Sequence, residues 1–207
     1  MVNERILKVS RLEGLSDGVF AIAMTLLVLD LKLPNGLNAG HMAQFLETNI
    51  VEKLFVYAGS FIILGTLWVA TNFQIGFIRK LSRPYLWAHI FYLMIVCIVP
   101  FSANLLASFP QNKASIVFYA LNLLYVSIMH FIIVETAWYC NLNKSGFNAA
   151  IHAALLKRIA FAPIFYLTAM ITANWSTRIA FIVLLIPTIG YMIPGRVDRF
   201  DKNESLT

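Results

Sequence analysis

The first apolar segment of the chain reads Arg11-Leu-Glu-Gly-Leu-Ser-Asp-Gly-Val-Phe-Ala-Ile-Ala-Met-Thr-Leu-Leu-Val-Leu-Asp-Leu-Lys-Leu-Pro34. Its charge-free part runs only from Gly18 to Leu29, whereas a helix needs about 20 residues to cross the hydrocarbon core of a bilayer. A spanning helix over 15–33 therefore carries Asp17 near one membrane face and Asp30 near the other. Carboxylates at such depths avoid lipid and face water or a bundle interior. We expect this helix at the functional centre, surrounded by the longer apolar helices.

The composition of the whole chain predicts a polytopic membrane protein. Of its 207 residues, 59% are hydrophobic and only 13% are charged, against about a quarter charged in soluble domains. An aromatic content of 14% excludes intrinsic disorder. The two cysteines, Cys97 and Cys140, lie inside apolar runs and predict neither a disulfide framework nor a metal cluster. The expected fold class is all-α.

Stretches without Asp, Glu, Lys or Arg predict six transmembrane helices. The last two are joined by a short polar turn that is typical of an antiparallel helical hairpin, and Pro163, Pro187 and Pro194 are expected to kink or end them. Because no linker, clear repeat or soluble segment is visible, residues 1–207 are expected to form one transmembrane domain. The expected helices cover approximately 15–33, 52–78, 84–109, 114–138, 156–174 and 178–195.

The basic residues predict the orientation of the chain in the membrane. The net charge is +6, and the Lys and Arg residues flank apolar runs instead of forming one tract, so we expect no nucleic-acid partner. Lys and Arg are retained on the cytoplasmic side. With six spans and both termini in the cytoplasm, all but four of the 16 basic residues fall on that side. The four exceptions are Lys32, Lys53, Lys113 and Arg178.

Four residues at the start of the first helix form a candidate polar network. Ser16 or Asp17 can cap a helix start, where free N–H groups and the positive dipole end favour an oxygen or a negative charge. Arg11 supplies a cation nearby, and Gly18 leaves room for another helix. The alternative is that Arg11 and Asp17 are interfacial anchors and Ser16 is a simple cap. The free-energy cost of a carboxylate at the membrane boundary favours a network that ties helices together.

Farther along this helix, Ile22, Leu26 and Leu29 share one face with Thr25. A stripe of this kind usually packs against a neighbouring helix. Because two acids bound the short apolar segment, we favour a helix that lines an aqueous path with a narrow hydrophobic constriction. Asp30 is a candidate for the mouth of that path, where carboxylates concentrate cations.

The remaining polar and aromatic residues predict no catalytic site. The chain has no Gly-rich phosphate loop, no His-Glu-x-x-His motif and no nucleophile beside a base, so we expect no enzyme, no metal and no cofactor. We expect Glu135, His130 and His89 to be interfacial anchors or to make hydrogen bonds inside the bundle. Four tryptophans are expected near helix ends in the interfacial belt, namely Trp68, Trp87, Trp138 and Trp175.

The motif in the first helix resembles the signature Arg-x-x-x-Phe-Ser-Asp-Gly of the endolysosomal potassium channel transmembrane protein 175 and its prokaryotic relatives. This chain has Leu15 in place of the phenylalanine. The apolar continuation after Gly18, Trp68 in the second helix and Pro100-Phe101-Ser102 in the third are also similar to the family. Because the animal channels carry two six-helix repeats and this chain carries one, it is identified as a prokaryotic single-repeat member, expected in the plasma membrane.

The resemblance implies an assembly and a permeant ion. Four chains would surround a central pore lined by the first helix of each, and the pore would conduct potassium and other monovalent cations. The family's constriction residues correspond to Ile22, Leu26 and Leu29, and Thr25 corresponds to a family threonine. Rings of aliphatic side chains offer no ligands and act through diameter and dewetting, so we expect weak selectivity.

One departure from the family lies in the second helix. Relatives often carry histidines shortly after the tryptophan, whereas this chain has Thr71 and Asn72 after Trp68. Both side chains donate hydrogen bonds but neither titrates, so we carry over no pH-dependent behaviour. A secondary transporter and a non-conducting membrane scaffold remain as alternative functions.

Overall fold

The computed structural model describes residues 8–31 and 50–192, and its regular structure is helical. The all-α class is therefore confirmed for this part of the chain. A single turn of 3₁₀ helix, Leu27–Asp30, extends the first helix. The α-helices are α1 (Val9–Leu26), α2 (Val51–Gly76), α3 (Arg83–Val96), α4 (Val99–Ser108), α5 (Lys113–Tyr139), α6 (Ala149–Thr172) and α7 (Thr177–Met192).

These helices form six apolar rods, because α3 and α4 follow one another as one span. Five rods are long and apolar enough to cross a membrane. The sixth, α7, has 16 residues in the described part of the chain, which is about 24 Å at 1.5 Å per residue. The five long rods are Val9–Leu29, Val51–Gly76, Arg83–Ser108, Lys113–Tyr139 and Ala149–Thr172.

The predicted start of the first helix was wrong. Helix α1 begins at Val9, six residues earlier, and its N-cap is Lys8, which makes no side-chain capping bond. Ser16 and Asp17 therefore lie about two turns inside the helix, and neither caps its start. The error has a physical cause: a charge-free window marks the part of a helix that lies in hydrocarbon, whereas the helix itself continues into the polar boundary.

The same error affected α6, which begins at Ala149, seven residues before the predicted position. The Asn148 side chain accepts hydrogen bonds from the backbone N–H groups of Ala150 and Ile151, at 3.0 and 3.1 Å. Asparagine is among the preferred N-cap residues, so this start was readable from the sequence. Two helices also run through their prolines, Pro163 in α6 and Pro187 in α7. Pro194 lies outside the described residues.

The predicted third helix is interrupted at Cys97 and Ile98, between α3 and α4. Pro100, in the first turn of α4, has no N–H to donate, and its ring clashes with the carbonyl of residue Val96 in a continuous helix. The chain is held across the break because the Cys97 N–H donates to the Leu93 carbonyl at 3.0 Å. The two helices therefore remain one membrane span.

Backbone hydrogen bonds join two connections at one end of the bundle. The Arg79 N–H donates to the Leu142 carbonyl, and the Lys144 N–H donates to the Phe77 carbonyl, each at 2.8 Å. These bonds tie the α2–α3 connection to the α5–α6 connection. The turn after α5 passes through Asn141 at φ 51°, and asparagine is one of the few residues that accepts this left-handed conformation after a helix.

Contacts at the opposite end join the other connections. Lys113 Nζ donates to Asn174 Oδ1, and Arg178 Nη2 donates to Glu52 Oε1 at 3.2 Å. The starts of α2 and α5 thus meet the α6–α7 turn, so successive spans run antiparallel, as six alternating spans require. Which end faces the cytoplasm stays a prediction, and the basic residues at positions 5, 32, 196, 199 and 202 lie outside the described residues.

The most buried span is α5, with half of its most apolar 18 residues buried. It packs against α3, α4, α6 and α7. The expectation that the first helix is surrounded by the others was wrong for a single chain, because α1 packs mainly on α2 and lies at the edge of the bundle. Its composition indicated a helix that avoids lipid, and within the described chain only 28% of its most apolar 18 residues are buried.

Candidate functional site

Helix α1 has a buried face and an open face with the same residue spacing. The open face carries Gly14, Gly18, Ile22, Thr25 and Leu29, and each of these follows a buried residue by two positions. Two positions correspond to about 200° around a helix, so the two stripes lie on opposite sides. The buried residues are Leu12, Ser16, Phe20, Ala23 and Leu27.

The whole predicted constriction stripe lies on the open face. Ile22 is 61% exposed, Leu26 43% and Leu29 59%. The Thr25 hydroxyl donates to the Ile22 carbonyl at 2.9 Å, so its proton is used within the helix and its oxygen can accept from outside. None of the described residues covers this stripe, and it is free to line a path or contact another molecule.

Two glycines leave the same face flat near the start of α1. A Cβ atom built on Gly14 or Gly18 meets no heavy atom of the described chain within 4 Å. The room predicted at Gly18 is therefore not used by any helix that the structure describes. Glycines spaced four apart allow two helices to approach closely.

Asp17 receives hydrogen bonds from two side chains of α2. Trp68 Nε1 donates to Asp17 Oδ1 at 2.8 Å, and Asn72 Nδ2 donates to the same oxygen at 3.4 Å. Trp68 and Asn72 are four residues apart and lie on one face of α2. The pairing fixes the rotation of α1 relative to α2 and thereby sets which face of α1 stays open.

Arg11 and Asp30, the other charged residues predicted for the site, take no described part in the Asp17 contact. Arg11 is exposed, and within the described part of the chain it pairs with no carboxylate. The backbone of Asp30 ends the 3₁₀ turn, whereas its side chain lies outside the described part of the structure. The polar network therefore centres on Asp17 and Ser16.

Ser16 links α1 to α3 through a buried hydrogen bond. Its Oγ lies 2.8 Å from His89 Nε2, and its hydroxyl donates to the Leu12 carbonyl at 2.8 Å. Since a hydroxyl has one proton, Nε2 of His89 is the donor in the first bond, which assigns the Nε2-protonated tautomer. Both residues are fully buried. His89 is thus a bundle hydrogen bond and not an interfacial anchor.

A second buried side-chain hydrogen bond joins α2 to α3. The Thr71 hydroxyl donates to the Leu67 carbonyl and lies 2.8 Å from the Tyr92 hydroxyl, so Tyr92 donates to Thr71. The Tyr92 ring packs between His89 and His130, at 5.7 and 5.4 Å between ring centroids. The prediction that Thr71 and Asn72 donate hydrogen bonds is confirmed, although only Asn72 reaches Asp17.

The sequence allowed the bundle hydrogen bond that His89 makes but did not predict the pairing of Glu135 with His152. Glu135 Oε1 lies 3.4 Å from His152 Nε2, and the His152 ring stacks on Trp138 with centroids 4.5 Å apart. A lone histidine in an apolar helix is a signal, because buried polar groups need partners. The partner itself, however, comes from another helix and is not encoded locally.

We expect Ser16→Ala to destabilise the protein by about 1 kcal/mol, because it leaves the buried His89 N–H without an acceptor. The measurement is the thermal unfolding of the purified protein in detergent. Ser102→Ala is the matched control, since Ser102 is also fully buried but bonds only to Val99 of its own helix. Equal effects of the two substitutions would contradict the interhelical role of Ser16.

Comparison with known proteins relates this geometry to a family. Residues 11–100 match the family model described as endosomal/lysosomal potassium channel TMEM175, and this stretch includes Asp17, Trp68, Asn72 and His89. A potassium channel from Streptomyces collinus is 30% identical over 155 residues, which cover 73% of this chain and 75% of that protein. The chain belongs to the TMEM175 family. The resemblance seen in the first-helix motif is thereby confirmed.

Two further comparisons extend over nearly the whole chain. A potassium channel from Chryseobacterium sp. is 27% identical over 195 residues, covering 93% of this chain and 96% of that one. The crystal structure of a lysosomal potassium-selective channel TMEM175 homolog from Chamaesiphon minutus superposes with a TM-score of 0.73 at 26% identity. It covers 89% of this chain and 96% of that one. The six-rod arrangement is therefore a TMEM175 fold.

Proposed function

We propose that this chain is a potassium-permeable, weakly selective cation channel that assembles as a homotetramer, with a hydrophobic constriction formed by α1. The observation that carries the proposal is the exposed stripe of Ile22, Leu26 and Leu29 on α1. The hydrogen bonds from α2 to Asp17 fix the rotation of this helix. The bacterial relatives named as potassium channels support the choice of ion.

Tetramer assembly is supported by what the open face of α1 contains. Thr25 and the flat surface at Gly14 and Gly18 are poorly suited to lipid tails, since polar side chains in membranes face a bundle interior or water. Glycines favour close helix contacts in membranes. Four copies of α1 around an axis place these groups against water and against one another.

The constriction would gate by excluding water. Isoleucine and leucine rings offer no ligand to replace the hydration shell of a cation, so a narrow ring conducts only when it is wet. The Thr25 oxygen, whose proton is directed to the Ile22 carbonyl, would present an acceptor between the aliphatic rings. One ring of such acceptors is a weak discriminator between potassium and sodium.

The membrane placement follows from the same proposal. We place the end that holds the α2–α3 and α5–α6 connections in the cytoplasm of a prokaryotic cell, with both termini on that side, because most Lys and Arg residues lie there. Asp30 then lies near the external mouth, where four carboxylates would attract cations.

Flux from liposomes tests the proposal. Purified protein in potassium-loaded vesicles should release potassium down its gradient without a counter-transported ion, and sodium should pass within about tenfold of the potassium rate. Vesicles without protein are the control. Saturable flux that requires a counter-ion would identify a transporter, and no flux from intact oligomers would favour the scaffold.

A further inference from the structure

A cavity of about 670 Å³ is bounded by α2, α5, α6 and α7 and reaches Met24 of α1. It follows α2 from Phe61 to Phe73, a length of roughly 18 Å along the helix. Its volume lies within the range of pockets that bind small molecules, about 300–1,000 Å³. We call it the side cavity. Most of the residues that line it are apolar, and polar groups stand among them on all four bounding helices.

The side cavity offers no uncompensated charge among the described residues. Arg158 is the one Arg or Lys of the described lining, which contains no Asp or Glu. It exchanges hydrogen bonds with Tyr191 at 2.9 and 2.7 Å and also takes part in a further interaction. An ionic group on a ligand would leave water without gaining a free counter-charge, which is costly at membrane depth. A ligand of this cavity is therefore expected to be uncharged.

Two buried polar side chains of the side cavity make no hydrogen bond with the described residues. His130 is 6% exposed and Thr188 is 4% exposed, and both line the cavity. By contrast, the hydroxyl of Thr66 in the same cavity donates to the Ile63 carbonyl at 2.8 Å. An unpaired polar group at membrane depth costs free energy. His130 and Thr188 therefore need a partner that occupies the cavity.

The two unpaired side chains come opposite the same turn of α6. On α5, Ser127 interacts with Tyr166, and the unpaired histidine lies three residues farther along α5. On α7, a Cβ on Gly190 would lie 3.2 Å from the Phe161 ring, and the unpaired threonine lies two residues before that glycine. Because α6 runs antiparallel to both neighbours, each of these side chains comes opposite residues 162–163 of α6.

The same turn of α6 frees a backbone acceptor. Pro163 has no N–H, so the carbonyl of Ile159, four residues earlier, lacks its usual partner within the helix. Ile159 lines the side cavity. An imidazole, a hydroxyl and a free carbonyl thus meet at one level of a mostly apolar cavity. This level is deep in the membrane, because His130 lies nine residues before the end of α5, which is about 14 Å along the helix.

We propose that the side cavity binds an uncharged amphiphile with one hydroxyl group on an apolar body, and that the hydroxyl lies between His130 and Thr188. A hydroxyl donates one hydrogen bond and accepts others. It can therefore donate to the imidazole or to the Ile159 carbonyl while it accepts from Thr188. The apolar body then lies along α2. An alkane fills the apolar walls but leaves these groups unpaired, whereas water pairs with them but leaves the walls without contacts.

Photolabelling of the protein in liposomes tests the site, with an octanol that carries a diazirine in its chain as the probe. Mass spectrometry of the digested protein locates the labelled residues. We expect label on the residues of the side cavity, displaced by 1-octanol about fivefold better than by octane at equal concentration in the membrane. Equal displacement by octane would overturn the role of the hydroxyl. Label confined to other surfaces would overturn the site.

Substitutions of similar shape test where the hydroxyl lies. We expect Thr188→Val to weaken displacement by 1-octanol about fivefold and to leave displacement by octane unchanged, because it removes one hydrogen bond without changing the shape of the side chain. His130→Phe should have the same effect. Thr66→Val is the matched control, since its hydroxyl lines the same cavity but is used within α2. Equal effects of the two threonine substitutions would overturn the assigned position of the hydroxyl.

A pair of glycine variants tests occupancy of the side cavity. Gly65 lines the cavity and Gly76 does not, and a Cβ at either position meets no heavy atom of the described chain within 4 Å. We expect Gly65→Leu to lose the label in the cavity and Gly76→Leu to keep it. Full labelling of Gly65→Leu would contradict the proposal. So would an unlabelled cavity in the unsubstituted protein, as expected if a second copy covers it.

The side cavity also touches the helix of the proposed constriction, because Met24 lines it and precedes Thr25 of the open stripe. A ligand that packs against Met24 opposes rearrangement of α1, so we expect 1-octanol to lower potassium flux in the unsubstituted protein and not in Gly65→Leu. This step rests on the proposed channel function, whereas ligand binding does not. A labelled cavity without any flux would overturn the channel proposal alone. Flux with an unlabelled cavity would overturn the ligand site alone.

Discussion

Potassium flux through the reconstituted protein is expected to rise about a hundredfold when Ile22 or Leu26 is replaced by asparagine. An amide offers hydrogen bonds to water, and four amides in one ring lower the free energy of a wetted constriction by about 3 kcal/mol, at 1.4 kcal/mol for each factor of ten. Selectivity for potassium over sodium should fall at the same time. The measurement is the initial rate of ion release from liposomes.

Ile164→Asn is the matched control for this prediction. Ile164 of α6 is 62% exposed and Ile22 is 61% exposed, so the two substitutions place the same amide on equally open surfaces of the single chain. Only Ile22 lies on the α1 stripe. Unchanged flux in both α1 variants, or an equal rise with Ile164→Asn, would contradict the assignment of the pore to α1.

The second large effect is expected at Trp68. Replacing it with phenylalanine keeps an aromatic ring but removes the indole N–H that donates to Asp17 at 2.8 Å. Asn72, at 3.4 Å, is then the remaining donor from α2. Because hydrogen bonds to a carboxylate are stronger than neutral ones, we expect a loss of about 1–2 kcal/mol in the free energy of unfolding. Thermal unfolding in detergent measures this loss.

Trp87→Phe provides the comparison, since Trp87 is 60% exposed on α3 and makes a ring contact with Phe91. Trp68→His should recover part of the lost stability, because an imidazole restores an N–H donor. If Trp68→Phe and Trp87→Phe unfold at the same temperature, Asp17 is not held by the indole and the rotation of α1 is set by apolar packing.

The sequence alone does not tell which of the two stripes of α1 packs against the rest of the chain. The spacing of Ile22 and Leu29 predicts a common face, and the structure places both on one face. However, Phe20 and Leu27 have the same spacing and similar hydropathy on the opposite face, so periodicity alone does not say which stripe packs inward. That choice is made by contacts with other helices, such as Ser16 with His89.

The sequence predicts that Asp17 needs hydrogen-bond donors, but it does not predict which residues supply them. A carboxylate at the membrane boundary requires donors, and the four-residue spacing of Trp68 and Asn72 predicts that both lie on one face of α2. Their pairing with Asp17 joins residues more than 50 positions apart, and such pairings depend on how helices pack. Helix ends were misplaced at α1 and α6 because charges mark the edge of hydrocarbon and not the end of a helix.

The backbone pairing between Ile78 and Asn143 joins segments about 65 residues apart. During synthesis, at 5–20 residues per second, the end of α2 emerges roughly 3 to 13 s before its partner. During that interval the Phe77 carbonyl and the Arg79 N–H do not yet have the partners that they bond in the folded chain, the Lys144 N–H and the Leu142 carbonyl. The first four spans, α1 to α5, are thus made before these backbone hydrogen bonds join the α2–α3 and α5–α6 connections, and the order of translation separates the insertion of these spans from their final docking.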